Sequence, residues 1–331
     1  HFASIDQILD NLDTKLEIGT TTTIDNKPPT AIAGENYTIP SGTPFVLTGA
    51  LTDEDSNDIH TYTWEQIDNG VSRFENFGPR KRTGGLFRSR PPSTNPKRYF
   101  PLMSRIISGN LTESSPVETI DNTSWETISE VSRELNFALT IRDRSEGNGT
   151  VNYGQTSFDT MKVTVDDTNG PFFVTSQATS ETWYENSDQI IKWNVANTNI
   201  APINATLVNI LLSTDGGYTY PITLASNTEN DGSHRIIVPE NLSTTAARIM
   251  VQPVNNIFFA INSANISIET IPFLLSTTEA TKSICKPENS VFTFLYKTSN
   301  GFNENTVFSA TNIPPGATVS FDPSSASTDN T

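Results

Sequence analysis

TGALTDEDSNDIHTYTWEQID (residues 48–68) decides the fold. Its second half alternates strictly: Tyr62, Trp64 and Gln66 share one face of an extended strand, Thr61, Thr63 and Glu65 the other. Turn chemistry rather than a helix precedes it, in a run of Asp, Ser and Asn. A second stretch, IIKWNVANTNIAPINATLVNILLSTDGGYTYPITL (190–224), shows the same habit, with Trp193 alternating with Ile191 and Val195. The likeness of the two Trp-bearing strands predicts tandem β-sandwiches.

Short strand patterns continue on both sides. YTIP, PFVLTGAL, LNFALTIRD and MKVTVDD surround the first tryptophan; NATLVNILLST, HRIIVP, ARIMVQPV and ANISIET follow the second; FTFLYKT and ATVSFDP come last. Only residues 2–18 carry a helical stripe, with Phe2, Ile5, Ile8, Leu9, Leu12 and Leu16 at three- and four-residue spacing and Gly19 as its stop. The predicted class is all-β: Ig-like or fibronectin-like sandwiches behind a short N-terminal helix. The expected divisions are a helix at 1–18, a linker at 19–29, a sandwich at 30–168 with a long insertion at 69–130, a second sandwich at 169–270, and a third β module at 271–331. The chain reads as an internal piece of a longer protein.

The charge balance is 21 basic against 37 acidic side chains, a net −16. That argues against nucleic acid, whose phosphates call for a basic surface. No apolar run is long enough to span a membrane as a helix. The single cysteine, Cys285, rules out an internal disulfide framework and a multi-cysteine zinc site, and reads as a half-buried small hydrophobe. Three histidines, His1, His60 and His234, stand far apart, so no HExxH pair is present, and no GxSxG elbow occurs.

Four features carry candidate chemistry. Asp53, Asp55 and Asp58, with Glu54, make a carboxylate-dense loop that could supply several of the six to eight oxygens calcium requires. Further oxygens would come from Asp143 or the Asp166–Asp167 pair; the alternative is an acidic turn whose side chains cap their own backbone. The insertion gathers nine basic residues between Arg73 and Arg105, opposed in that segment by Glu75, with Phe87, Tyr99 and Phe100 between them. Arg80, Arg82, Arg88, Arg90, Arg98 and Tyr99 are its candidate contacts for an acidic partner; the alternative is that these charges pair within the module. STDGGYTY (213–220) resembles the Asp-box hairpin of sialidase propellers, in which Asp215 would cap the turn and Gly217 supply positive φ. Trp64 and Trp193 are the expected interior anchors of their sandwiches.

Several segments resemble the region that follows the catalytic domain in secreted bacterial reprolysin-like zinc metallopeptidases. They are PPTAIAGENYTIPSGTPFVLTG (28–49), DEDSNDIHTYTWEQID (53–68), LFRSRPP (86–92), RYFP (98–101), IIKWNVANT (190–198), LSTDGGYTYP (212–221), ARIMV (247–251), NIFFAI (256–261) and SICKPEN (283–289). The resemblance implies that residues 1–12 are similar to the closing helix of the protease domain. It implies that the zinc-binding HExxH motif lies upstream, and that residues 30–168 form a PKD- or cadherin-like module and 169–270 a fibronectin-like one. The implied setting is extracellular, the implied partners the protein's own catalytic domain and extracellular protein substrates, and the implied role spacing or stabilisation without catalysis. A free-standing extracellular adhesion or polysaccharide-binding module is the alternative, which exposed aromatic platforms would favour.

Overall fold

A computed structural model describes residues 2–15, 26–55, 58–144, 154–277, 279–285 and 289–330. The chain is an all-β array of tandem two-layer sandwiches. Helix α1 runs Phe2–Asp13; Leu16 to Gly19 and most of the expected linker lie outside the described residues.

The first sandwich uses β1 (Thr30–Ile32), β2 (Tyr37–Pro40), β3 (Phe45–Thr48), β4 (Ala50–Thr52), β5 (His60–Gln66), β6 (Lys97–Phe100), β7 (Arg133–Asp143) and β8 (Thr156–Asp166). One layer is ordered β2-β8-β7-β5; β3-β6 and β1-β4 face it. β2 runs parallel to β8 and the other pairings are antiparallel. Alternation sets the inward set: Trp64 on β5, Leu135, Phe137, Leu139 and Ile141 on β7, and Met161, Val163 and Val165 on β8 are all buried. β6 lies inside the stretch expected to be an irregular insertion, and Leu86, Phe87 and Phe100 from the same stretch complete the core. Phe100 stacks on Phe45 at 4.9 Å between ring centroids. A short helix α2 (Met103–Ile107) follows.

The second sandwich uses β9 (Phe173–Val174), β10 (Glu181–Tyr184), β11 (Asp188–Asn194), β12 (Leu207–Ser213), β13 (Ile222–Glu229), β14 (Ser233–Ile237), β15 (Thr244–Pro253), β16 (Ala260–Ile261) and β17 (Ile266–Glu269). Its layers are β10-β17-β15-β12-β13, with β16 beside β15, and β14-β11-β9. Here too one pair is parallel, β10 with β17. The two tryptophans, alike in their strand patterns, sit in different layers. Trp64 sits in the layer holding its module's parallel pair, whereas Trp193, on β11, sits in the layer opposite. Alternation around a tryptophan records that the tryptophan's face is buried; it carries no information on which layer the strand joins.

The third unit has β18 (Phe273–Ser276) paired with β19 (Leu295–Thr298), and β20 (Thr306–Val307) paired with β21 (Ser325–Ala326). Residues 317–323, expected as a strand, form none; they follow a turn at Pro314–Ala317. Rings from Phe273, Tyr296, Phe302, Phe308 and Phe321 form its aromatic chain.

Candidate functional site

The acidic loop and the end of β7 meet through strand register. β5 and β7 pair His60 with Asp143, which brings Asp143 up to the loop that joins β4 to β5. Carboxylate oxygens of Asp53, Asp58 and Asp143 all lie within 4.8 Å of one another. Asp53 Oδ2 is 2.7 Å from His60 Nε2, and its Oδ1 accepts from the Asp55 N–H. Burial pushes Asp53 up, but the His60 and backbone hydrogen bonds outweigh it and hold this carboxyl below the usual range. Asp143 accepts from Asn26 Nδ2 at 2.8 Å. Asp58 is the unsatisfied member: its Oδ2 is buried and finds no hydrogen bond. Desolvation and then the charges of Asp143, Asp53 and Asp55 push its carboxyl up.

Asp55, expected as a ligand, is turned away, accepting from Lys27 N at 2.6 Å. The Asp166–Asp167 pair is also elsewhere: Asp166 binds Thr168 and Asn169, and Asp167 binds Ser132. A hard cation fits the remaining trio. Three converging carboxylates, one with an oxygen that finds no donor among the described residues, supply half the oxygens of a six-coordinate calcium and leave the others to water or backbone. The part played by Asp143 was offered by the sequence only as one of two choices, because it depends on a strand pairing made over a long separation.

The basic insertion neutralises itself with carboxylates from its own second half. Arg88 holds Glu118 through both guanidinium nitrogens, at 2.9 and 3.2 Å, and lies 3.5 Å from the Trp125 ring centroid. Arg90 donates to the Asp121 carbonyl. Arg98 is only 10% exposed; it donates to the carbonyls of Trp64 and Arg88 and to Glu126, which is fully buried. Burial pushes Arg98 down and Glu126 up, and their mutual attraction opposes both shifts. Glu126 also accepts from Leu102 N, fixing the entry to α2. Arg98 therefore has no free face for a partner. Arg80 makes one long contact with Glu130, at 3.4 Å, and Arg73, Arg82 and Lys97 are exposed.

What α2 and its flanks do is close a junction between the sandwiches. Val46, Met103 and Ile106 from the first module pack with Met250 and Phe259 from the second, joined by Tyr99, Ile107, Leu111, Leu211, Tyr220 and Ile261. Tyr99 meets Phe259 edge-on at 5.6 Å, and burial pushes its phenol up. This cover explains β15, where Ala247 to Val251 are buried without alternation because both faces are covered. Backbone bonds cross the same seam: Val46 N donates to Ile257 O at 2.9 Å and Phe259 N to Pro44 O at 3.0 Å. Phe172 and Phe258 extend one continuous apolar core through it.

The Asp-box hairpin touches this junction too. Asp215 accepts from Ser213 Oγ, from the backbone of Tyr218 and Thr219, and from Thr219 Oγ1. Burial acts against ionisation, but those four donors hold the carboxyl down at about 2. Gly217 has φ +101, and a Cβ there would stand 3.1 Å from the Tyr220 hydroxyl and 3.2 Å from Ile107 Cγ1 of α2.

Among the described residues His60 and His234 are held apart, His234 by Thr228 Oγ1 at 2.7 Å. Cys285 is exposed rather than half-buried. All four tryptophans, Trp64, Trp125, Trp183 and Trp193, are buried. Trp64 Nε1 donates to Pro96 O and Trp193 Nε1 to Asn230 Oδ1. No described helix is long and apolar enough to cross a membrane.

No protein-family model matches the chain, and no curated protein matches it. Among solved structures it is similar to the N-terminal Ig1-2 module of the Drosophila receptor protein tyrosine phosphatase DLAR. Identity there is 9%, over 73% of this chain and 100% of that one, with a TM-score of 0.34. The four N-terminal Ig domains of Dscam1 isoform 8.4 give 10% identity over 75% of this chain and 48% of that one, with a TM-score of 0.20. Values this low carry no argument about relationship or function.

Proposed function

We propose that this chain is a non-catalytic accessory region of a secreted zinc metallopeptidase, a strut that spaces and orients the catalytic domain and offers a surface to protein substrates. The observation that carries the reading is the sealed junction. Two sandwiches sharing one apolar core and joined by backbone hydrogen bonds form a fixed-length body, which suits a spacer better than a flexible string of binding domains. The sequence resemblance supplies the link to the peptidase, and the zinc belongs to the upstream domain. Calcium bound by Asp53, Asp58 and Asp143 would pin the loop between β4 and β5. Every tryptophan is buried, but Phe74, Phe173, Tyr184 and Tyr218 are exposed, so a polysaccharide-binding platform would have to be built from phenylalanine and tyrosine alone.

Antibodies to this chain should capture from the producing cells' medium a protein larger than 36.3 kDa that clears a gelatin zymogram, with clearing lost in 1,10-phenanthroline. A captured protein without peptidase activity would leave the free-standing adhesion module as the reading.

A further inference from the structure

The contact between the second and third units is built differently from the first junction. Neither large apolar cluster includes any residue beyond Ile268. The described side-chain hydrogen bonds across the contact converge on one turn, between β10 and β11. Asn186 Nδ2 donates to Ser299 Oγ at 2.6 Å, Lys297 Nζ donates to Asn186 Oδ1 at 2.7 Å, and Asn300 Nδ2 donates to Glu185 Oε2 at 2.9 Å. Glu185 is fully buried, and its other oxygen accepts from Leu242 N within the second sandwich. Asn186 holds φ +61, and both ends of its amide bond to the third unit. A cleft lined by Thr270, Ile271, Pro272 and residues 299–304 lies along the connecting segment.

We infer that the Glu185–Asn186 turn is a releasable latch, and that the third unit swings about Thr270–Pro272 when it opens. Polar groups freed from one another are rehydrated by water, so opening exposes neither sandwich core. Glu185 keeps its backbone donor in the open state. The first junction has no such route, because parting it uncovers Met250 and Phe259.

Spin-label distances test this in the full chain with Cys285→Ser as background. Thr223→Cys with Val307→Cys spans the latch, and Thr160→Cys with Thr223→Cys spans the first junction; all three sites are exposed. Both pairs should give narrow distributions in the otherwise unchanged protein. Asn186→Gly removes both amide contacts, and glycine accepts the positive φ at no cost. It should broaden the 223–307 distribution and leave 160–223 narrow. Lys297→Met, which leaves the turn untouched, should broaden it in the same sense to a smaller degree. A 223–307 distribution unchanged in both variants, one already broad before substitution, or equal broadening at 160–223 would each overturn the latch.

Discussion

The two junctions of this chain teach different lessons about how tandem sandwiches are joined. Between the first and second modules the seam is apolar, continuous with both cores, and stitched by backbone bonds at Val46 and Phe259. Between the second and third it is a cluster of side-chain hydrogen bonds on one turn. Burying a large apolar side chain is worth several kcal/mol, roughly 3–5 for a phenylalanine cut back to alanine. A hydrogen bond nets about 0.5–1.5 kcal/mol when neutral and about 1.5–3 when one partner is charged, as at Lys297 and Glu185, since water replaces it when it breaks. The first seam thus makes one body of two modules, and the second makes a contact.

The largest expected effect is at the first seam. Phe259→Ala should cost about 3–5 kcal/mol and split a single calorimetric unfolding transition for the two sandwiches into two. A loss below about 1 kcal/mol with one transition retained would show that the seam is not cooperative. Trp193→Ala belongs to the same class but deep inside one module, so its cost of roughly 3–5 kcal/mol should leave the two sandwiches coupled in chemical denaturation. Next comes Gly217→Val. Strain at φ +101 and the approach to Ile107 and Tyr220 should together cost about 1–3 kcal/mol, read as a lowered midpoint. Calcium should raise the melting temperature, and Asp58→Asn should abolish that rise while stabilising the protein in chelator, because it removes a carboxylate crowded by Asp53 and Asp143. Identical melts with and without calcium would remove the ion from the account. The smallest effect is acid sensitivity at the Asp-box. Asp215 has a folded value near 2 against 3.8, so its contribution is present above about pH 3.8 and lost as pH falls through 2. Asp215→Asn should flatten the stability profile in that window and lower stability at neutral pH, where the ionised carboxylate's contribution is fully present.

Legibility in the sequence followed locality. Strands with one buried face, such as β11 and β12, announce themselves by alternation. β13 does not: ITLASNTE is an exposed edge, and its Thr, Ser and Asn residues read as turn. β6 was concealed because RYFP sits among arginines and prolines, so that its charge suggested an insertion surface, although Arg98 is buried and Phe100 belongs to the core. The opposing Glu118 and Glu126 lie 30 and 28 residues further on and could not be matched to Arg88 and Arg98 without the fold. ARIMV hid its double-sided burial, because Arg248 breaks the apolar run and reads as a solvent-facing residue although it is buried. The acidic trio needed the His60–Asp143 register, which no local pattern encodes.

The parallel pairs, β2 with β8 and β10 with β17, set how each sandwich bears tension. In both, a strand near the module's entry lies alongside the strand near its exit over four residue pairs. Pulling the entry and the exit apart loads all of those hydrogen bonds at once, sliding strand over strand, instead of peeling them one at a time. Forced unfolding in optical tweezers should therefore give one high-force event per sandwich, and cutting the β2–β8 contact with Ile39→Pro, at a position whose backbone faces β8, should lower only the first of them.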